Sequence, residues 1–584
     1  MKKNYYFVSI TLIMLFSTSI YGQYTNGKKA SLSTDGTILL ENILLPDYSE
    51  KSTAEMLNGF PFGSPANASF KNFRGAAIAD IDEDGADEII FGANNKLFVL
   101  KGNGETLWTK NVSGTIIYPP SIADMDDDGH LEIILNTGGS PNAGRVYLLD
   151  KDGNDLEGWP QNFEEHWMFN APAISDLDGD NIMEVITCER GNSNYGMLHV
   201  IKIDGTPFSD AWPLELPGNL AFTPSIGDID NNGTKDIIIS ISSGSLYAIN
   251  TNGSFIFGFP LIEAGKSFSY QSPIIYDFDG DELMEIVGAR HGDASDYYMV
   301  KSNGSYPFGW PITSPSGWRY SPPTVVDADD DGEYEIYVGH PNTDGGGAPL
   351  DVVFGYNAAG QMLDNLPINK AGGCEGVISV ADVNNDDIMD LVFTSNITDA
   401  DGYGFIHAYS LDGSGEIEGF PLRPKGFTFI NSAVLGDING DELLDISCLS
   451  YTNFTGNDSV FITSYNLNVP YDESKILANG YKGNQLRDGN VNIQTNVGIS
   501  KINDNSFDFT ASPNPSDGMI NLQLNQKMED AQISIINYLG EIIYSTRTSG
   551  ENNIQLDMSN INNGSYLIKI ETDNMSMSQK WIKY

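Results

Sequence analysis

Short runs of β-branched and aliphatic residues alternate with acidic clusters along most of the chain. Residues 236–260, DIIISISSGSLYAINTNGSFIFGFP, are typical: IIIS and SLYAI favour β-strands, and Gly and Asn mark the turns between them. Each such unit predicts a four-stranded antiparallel sheet of about fifty residues. The pattern therefore predicts an all-β fold built from repeats.

A nine-residue acidic loop marks each repeat, beginning with DIDEDGADE at residues 80–88. Related loops start 44 to 55 residues apart, at Asp124, Asp176, Asp228, Asp277, Asp327, Asp382 and Asp437. Self-similarity at a fixed period indicates a repeat architecture, and radial repetition of such sheets gives a β-propeller. Eight loops predict eight blades; seven blades with one aberrant repeat is the alternative. Residues 54–63 are expected to supply the outer strand that the last blade lacks.

A second motif shares the period and places an aromatic or leucine residue before a proline. It precedes most of the acidic loops by fifteen to twenty residues, as GFP, GWP, AWP or NLP, at 59–61, 158–160, 211–213, 258–260, 309–311, 365–367 and 419–421. Trp108 precedes the second loop without a proline.

The charge and the cysteine content argue against several classes of function. The 584 residues carry a net charge of −48, and the eight loops hold 37 of the 79 acidic residues. This balance argues against nucleic-acid binding, which needs clustered Lys and Arg. The three cysteines, Cys188, Cys374 and Cys448, are far apart and imply neither a disulfide framework nor a cysteine zinc site.

The acidic loops predict a bound hard cation, because Asp, Asn or Glu oxygens recur at positions one, three, five and nine. Gly85, at position six, allows the positive φ of a tight turn. The expected ligands are Asp80, Asp82, Asp84, Glu88, Asp124, Asp126, Asp128, Glu132, Asp176, Asp178, Asp180, Glu184, Asp228, Asp230, Asn232, Asp236, Asp277, Asp279, Asp281, Glu285, Asp327, Asp329, Asp331, Glu335, Asp382, Asn384, Asp386, Asp390, Asp437, Asn439, Asp441 and Asp445. Up to eight structural Ca²⁺ ions are expected; solvated acidic turns without metal are the alternative.

The loops depart from an EF-hand, whose last carboxylate lies at position twelve and which is flanked by helices. Their spacing resembles the FG-GAP/VCBS repeats of integrin-α-like propellers over roughly residues 55–480. Two departures weaken individual sites. Glu282 and Glu442 occupy position six, where glutamate tolerates a left-handed backbone poorly, so a distorted turn is expected there. Asn232, Asn384 and Asn439 replace carboxylates, so weaker binding is expected in those three loops.

The face opposite the acidic loops is expected to bind the ligand, as the integrin-like resemblance also implies. Scarce Arg, His and aromatic residues collect in its loops: Arg74, His166, Trp167, Arg190, Arg290, His291, Trp318, Arg319, Tyr320 and His340. Arg pairs with carboxylate or sulfate, and aromatic rings stack on sugars, which suggests an acidic glycan. The alternative is that these residues cap the ends of the blades.

An enzymatic alternative uses the same face. Some propellers degrade acidic polysaccharides by β-elimination, and His166, His291, Arg319 and Tyr320 are the candidates for a polysaccharide lyase acting on uronates. The main expectation remains a monomeric binding or adhesion module for a glycan or another surface protein. A purely structural surface protein is the third possibility.

The chain ends carry export signals. Residues 1–22 match a signal peptide, with Lys2 and Lys3 before an apolar core too short to span a bilayer, and an uncleaved anchor is the alternative. No other stretch predicts a transmembrane segment. A lead-in at 23–53, the propeller at 54–485 and a polar linker at 486–507 follow.

Residues 508–584 predict a small β-sandwich from alternating Ile, Leu and Tyr. The motifs Pro513-Asn514-Pro515, NYLGEII, NNGSYLIKI and the final QKWIKY resemble the C-terminal sorting domain of the Bacteroidetes type IX secretion system. The resemblance implies passage through the outer-membrane type IX export machinery and a secreted or cell-surface location. A carbohydrate-binding sandwich is the alternative.

Overall fold

The computed structural model describes most of the chain. The described residues are 24–32, 38–46, 48, 54–66, 74–138, 144–163, 168–190, 195–220, 222–241, 244–263, 265–268, 271–292, 295–314, 322–341, 347–452, 458–491, 509–513, 516, 518–524, 529–537, 542–550, 552–562, 564–571 and 576–583. The chain divides into two compact units, Met1–Gly498 and Ile499–Tyr584. The expected signal peptide lies outside the described residues.

The first unit begins with four strands: β1 (Tyr24–Leu32), β2 (Ile38–Pro46), β3 (Glu55–Met56) and β4 (Phe62–Ala66). Sheet 1 contains β5 (Ala77–Ala79), β6 (Glu88–Ala93), β7 (Lys96–Leu100) and β8 (Thr106–Asn111). Sheet 2 contains β9 (Thr115–Ile116), β10 (Ser121–Ala123), β11 (Glu132–Gly138), β12 (Gly144–Leu149) and β13 (Gln161–Phe163). Sheet 3 contains β14 (Ala173–Ser175), β15 (Glu184–Glu189), β16 (Tyr195–Ile201) and β17 (Leu214–Pro217).

Sheets 4 to 6 repeat this plan. Sheet 4 contains β18 (Ser225–Gly227), β19 (Asp236–Ile241), β20 (Ser245–Asn250) and β21 (Leu261–Ile262). Sheet 5 contains β22 (Lys266–Phe268), β23 (Ile274–Tyr276), β24 (Glu285–Gly292), β25 (Asp296–Val300) and β26 (Ile312–Thr313). Sheet 6 contains β27 (Thr324–Val326), β28 (Glu335–Gly339), β29 (Leu350–Tyr356) and β30 (Ile368–Lys370).

The last two sheets recruit strands from distant parts of the chain. Sheet 7 combines β31 (Ser379–Ala381), β32 (Asp390–Thr394) and β34 (Ile406–Ser410) with β38 (Ile476–Ala478). Sheet 8 combines β35 (Ala433–Gly436), β36 (Leu443–Tyr451) and β37 (Asp458–Pro470) with β3 and β4. Strand β33 (Ile397–Asp399) pairs with β1 of the β1–β2 hairpin. Two short 3₁₀ segments, Glu473–Lys475 and Tyr481–Gly483, flank β38.

The strand sequences follow their position in each sheet. Residues of β6 are buried throughout, as a strand covered on both faces requires, whereas β8 at the outer edge is half exposed. Apolar side chains from adjacent sheets interdigitate: Ile90 and Val99 of sheet 1 share a cluster with Ile133 of sheet 2. The expected all-β fold of antiparallel four-stranded sheets is confirmed.

The aromatic–proline motif joins each sheet to the next. The buried indoles of Trp159, Trp212 and Trp310 donate to backbone carbonyls of Ile203, Thr251 and Ala358, at 2.6 to 2.9 Å. Trp108, which lacks the proline, donates to Lys151 O at 2.8 Å in the same way. Each acceptor lies in the turn of the following sheet, so the motif sets the packing between repeats.

Sheets 8 and 1 are in direct contact. The Asp87 N–H donates to Asp437 O at 2.9 Å, and the Arg74 N–H donates to Ile430 O at 3.0 Å. Residues Phe62–Ala66 pair antiparallel with β37, so the N-terminal segment does supply the outer strand of the last sheet. This closes the row of sheets into a ring. The count of eight blades stays a prediction.

A segment that we call the inner strap, residues 475–491, runs across the innermost strands. Ile122, Ile174, Ile226 and Ile275 of sheets 2 to 5 each donate a backbone N–H to a strap carbonyl, at 2.9 to 3.1 Å. The strap also contributes β38 to sheet 7 and bonds to sheet 8 through Asn479. Residues 486–491, expected in the linker, therefore lie within the ring.

The second unit contains two antiparallel sheets. Strands β39 (Phe509–Ser512), β40 (Met519–Leu524) and β43 (Asn553–Asp557) form one; β41 (Glu529–Asn537), β42 (Ile542–Ser549), β44 (Gly564–Glu571) and β45 (Ser576–Lys583) form the other. Ile520, Ile533 and the buried Trp581 pack between them, as a small sandwich requires. Within the described part of the chain, no helix has the length and apolarity needed to cross a membrane.

Candidate metal centres

Each acidic loop connects the innermost strand of a sheet to the second strand and repeats one hydrogen-bond scaffold. The position-nine carboxylate accepts the N–H of position two in all eight loops, at 2.9 to 3.2 Å. The position-one carboxylate accepts the N–H of position six, at 2.7 to 3.1 Å. The position-five oxygen accepts the N–H of position seven, at 2.8 to 3.1 Å. The backbone thus fixes one oxygen of each side chain and leaves others for a cation.

Two residues in each loop adopt a positive φ, at positions four and six. The expected distortion at Glu282 and Glu442 is absent: their φ values, 68° and 64°, match that of Asn181 at 69°. In these two loops glycine occupies position four instead, as Gly280 and Gly440. Glycine therefore occupies one of the two left-handed positions in seven loops, and the seventh loop uses Asn385 and Asp387 at both, with φ values of 58° and 65°.

The loop carboxylates converge. In the first five loops, oxygens of the residues at positions one, three and nine lie within 4.8 Å of one another. The position-nine side chains are at most 8% exposed. Like charges this close repel, and a buried carboxylate is unfavourable without a partner. The clusters can hold a metal ion that offsets both costs.

Buried oxygens without a hydrogen-bond donor point into these clusters. Among the described residues, one carboxylate oxygen of each of these six has no donor within reach: Asp80, Asp82, Asp230, Asp236, Asp390 and Asp445. Buried polar atoms are nearly always satisfied in proteins. These oxygens have the placement expected of metal ligands.

Burial also raises the pKa of every position-nine carboxylate to about 7. The residues are Glu88, Glu132, Glu184, Asp236, Glu285, Glu335, Asp390 and Asp445. Neighbouring acids of the same loop add to the effect. A cation bound among these carboxylates would favour their ionised form at neutral pH.

Family models match both parts of the chain. A model described as an FG-GAP-like repeat matches residues 124–187, 176–239 and 277–338. A model described as a secretion system C-terminal sorting domain matches residues 511–584. The chain carries FG-GAP-like repeats and a secretion system C-terminal sorting domain. This confirms the expected family resemblance, and the sorting domain indicates type IX secretion to the cell surface or beyond.

Several solved structures are similar in fold. The V. cholerae biofilm matrix protein Bap1 is 14% identical, with 78% of this chain and 92% of that chain covered and a TM-score of 0.44. Quinohemoprotein alcohol dehydrogenase from Comamonas testosteroni is 10% identical, with 71% and 79% covered and a TM-score of 0.40. The Dos1 propeller is 13% identical, with 71% and 96% covered and a TM-score of 0.38. No curated protein matches the chain by sequence.

Lysines enter some of the FG-GAP loops, a feature that the spacing of acidic residues did not reveal. The Lys101 ammonium lies 2.5 Å from Asp82 and 2.8 Å from Asp84. Lys301 lies 2.6 Å from Asp279 and 3.6 Å from Glu285. Both follow the third strand of their sheet and reach the loop at the same edge, which shows that strand 3→4 turns and acidic loops share one face. Lys475 of the inner strap contacts Asp382 and Asp387 of the seventh loop.

The amide-containing loops lower their own charge. The Asn384 amide donates to Asp386 at 2.9 Å, and the Asn439 amide donates to Asp441 at 3.0 Å. The Asn232 oxygen accepts the Thr234 N–H like the aspartates at position five. In the seventh and eighth loops these contacts replace a carboxylate–carboxylate repulsion with a hydrogen bond, so these two loops have less need of a cation.

Three residues of the expected ligand face are committed to internal contacts. Arg290 is 1% exposed and pairs with Asp296 at 2.8 Å and Glu263 at 2.6 Å. Arg74 is buried at the junction of sheets 8 and 1. His340 is buried, and its backbone bonds to Val352 and Cys374. These contacts favour a structural role for all three.

The rest of that face is less completely described. Arg190 and His291 are half-buried at the ends of strands on this side. His166, Trp167, Trp318, Arg319 and Tyr320 lie outside the described residues. The three cysteines are buried and unpaired, and burial raises the pKa of Cys374 to about 12.

Proposed function

We propose that this protein is an exported, calcium-stabilised β-propeller that binds a glycan or another surface protein. The observation that carries the proposal is the eightfold loop scaffold with its converging, buried carboxylates. Hard oxygen ligands in flexible loops suit Ca²⁺, which accepts six to eight oxygens. The ions would be structural, because the loops tie the two innermost strands of each sheet together.

The proposed calcium sites have a stability role that suits an exported protein. Each site would hold the ionised position-nine carboxylate beside the position-two backbone, where the innermost strand ends. A metal that binds only the folded loop favours the folded ring. A rigid ring displays its connecting loops in fixed positions, which is what a binding module needs.

Lysines that enter an acidic loop compete there with calcium, so we expect the loops with a lysine to bind calcium more weakly than the loops without one. Replacing Lys301 with Met should raise the calcium affinity of the fifth loop about fivefold, because a partly exposed ion pair worth about 1 kcal/mol no longer has to be broken. Isothermal titration calorimetry with Ca²⁺ measures the change.

Lys202 supplies the matched control for this prediction. It follows the third strand of sheet 3, but its ammonium lies 5.5 Å from the Phe208 ring centre rather than in an acidic loop. Lys202→Met should leave calcium binding unchanged. Equal isotherms for the two variants and the wild type would show that Lys301 does not compete with calcium.

Binding is tested with the full chain, loaded with calcium, on an array of neutral and acidic glycans and against extracts of surface proteins. We expect at least one class of ligand to retain the protein. If the ligand binds the face opposite the FG-GAP loops, the double variant Arg190→Ala, His291→Ala should bind that ligand more weakly. Retention by neither glycans nor proteins would instead support a purely structural role.

A further inference from the structure

Two phenylalanines project into solvent from neighbouring sheets, on the face that carries the FG-GAP loops. Phe257 is 86% exposed and Phe308 is 95% exposed. Each lies three residues before the proline of an aromatic–proline motif, in the turn between the third and fourth strands. Lys301, in the same turn as Phe308, contacts Asp279 of the fifth loop, which places the turn on the loop face.

The repeat provides an internal comparison for this position. In the other five motifs the same position holds an exposed polar residue: Asn58, Glu157, Asp210, Asp364 and Glu418. A turn of this type therefore folds with an acidic residue here. Two phenyl rings at a position that needs no apolar side chain are better explained by binding than by folding.

The two turns are in contact. A Cβ built on Gly258 would come within 2.0 Å of Asn303 O, so the backbone after Phe257 packs directly against the turn that leads to Phe308. Phe255, 47% exposed, lies in the same turn as Phe257 and bridges Ile249 near the end of the third strand. We call Phe255, Phe257 and Phe308 the phenyl patch.

The charge around the phenyl patch differs from that of the rest of the face. Residues 250–260 and 301–311 contain no Asp or Glu, whereas the corresponding turn at 150–160 contains four. Asn, Ser and Thr take their place, with amide and hydroxyl groups at Asn252, Asn303 and Ser305. The patch thus combines exposed rings with neutral hydrogen-bonding groups, and acidic loops surround it.

We propose that the phenyl patch is a docking surface for a neutral polysaccharide. The C–H face of a sugar ring is apolar and packs on a phenyl ring, while its hydroxyls bond to amides and hydroxyls at the edge. The surrounding acidic loops repel an anionic glycan, and the two turns that carry the rings hold no Asp or Glu of their own that could pair with a cationic peptide. This inference rests on the proposed binding function and adds its surface and ligand class.

The test replaces both rings with glutamate, which two of the other repeats carry at this position. Phe257→Glu with Phe308→Glu, in the full calcium-loaded chain, should reduce retention by neutral β-glucan, mannan or dextran at least tenfold in affinity electrophoresis. Its melting temperature should stay that of the wild type, since Glu157 and Glu418 occupy the same position elsewhere. Phe257→Tyr with Phe308→Tyr should retain binding.

Glu157→Ala with Glu418→Ala is the matched control and should leave retention unchanged. The proposal that the phenyl patch binds a neutral polysaccharide would be wrong if the wild type and the Phe→Glu variant were retained equally. It would also be wrong if no neutral glycan retained the wild type. If the wild type then still bound an acidic glycan or a surface protein, the proposed binding function would stand without it. Loss of a protein ligand in the Phe→Glu variant, with no neutral glycan bound, would also overturn the ligand class.

Discussion

Removing calcium with EDTA should lower the melting temperature of the full chain by about 10 °C or more. A ligand that binds only the folded state at one hundred times its Kd contributes about 2.7 kcal/mol per site. Each kcal/mol shifts the melting temperature of a large domain by roughly 2–4 °C. Two occupied FG-GAP loops already account for the expected shift, and the chain carries eight such loops.

Differential scanning calorimetry in calcium and in EDTA measures the shift. Replacing Glu184 with Gln should reduce it by removing one ionised ligand while keeping an oxygen for the Leu177 N–H, which the carboxylate now accepts at 2.9 Å. Replacing the exposed Glu157 with Gln is the control and should change nothing. Coincident melting curves in calcium and EDTA would remove the calcium proposal.

The same loops make the stability of the ring depend on pH, and the direction of this dependence reverses when calcium is bound. Without a cation, burial holds the pKa of Glu88 and Asp236 near 7, above their ordinary values of 4.5 and 3.8. A raised folded-state pKa means that the folded protein binds more protons. The calcium-free ring should therefore be most stable below about pH 4 and lose stability as the pH rises through 7. In calcium, acidification should instead destabilise, because protons displace the metal.

The repeat and its chemistry were predictable because they depend on local spacing. The loop positions of Asp80 and Glu88 and the β-rich runs between loops follow from a period near fifty residues. The closing strand was expected within residues 54–63, and the structure pairs Glu55–Met56 and Phe62–Ala66 with the last sheet. The left-handed conformation at position four was missed, although glycine there, as Gly280, was a usable signal. The contact of Lys301 with the fifth acidic loop could not be predicted, because it depends on the conformation of the turn that brings the ammonium group to Asp279.

The ligand face was harder to predict because burial is a tertiary property. Arg290 and Arg74 are scarce, charged and located in connecting segments, which is the pattern of a binding surface. In the fold, Asp296 and Glu263 surround Arg290, and Arg74 lies at the junction of two sheets. Sequence spacing does not reveal such partners, since they come from other strands of the ring.

The inner strap was missed for a similar reason. Its sequence, GYKGNQLRDGN at 480–490, is polar and rich in Gly and Asn, which is typical of a solvated linker. Yet Lys482, Arg487 and Asp488 are at most 5% exposed. Their backbone and side chains satisfy the inner edges of the sheets, which form only when the ring is complete.

Replacing Arg487 with Ala should destabilise the ring by about 3–5 kcal/mol, because it leaves buried carbonyls without donors. The guanidinium donates to Tyr481 O at 2.7 Å and to Asn484 O at 2.6 Å within the strap. It also reaches Pro120 O of sheet 2 at 3.3 Å. Burial lowers the pKa of Arg487 to about 9, which reflects how fully the ring encloses this charge. Urea denaturation followed by tryptophan fluorescence measures the loss.

Arg547→Ala supplies the matched control, because Arg547 is exposed on the second unit and its loss should cost less than about 0.5 kcal/mol. Truncation provides an independent test. A chain ending at residue 498 keeps the strap and should unfold like the ring of the full chain, whereas one ending at residue 474 removes it and should lose most of that stability. Equal unfolding of the two truncations would show that the strap is not needed. If only the shorter chain loses stability, the strap is the segment that completes the ring. A domain that ended at the expected linker start, residue 486, would then lack Arg487.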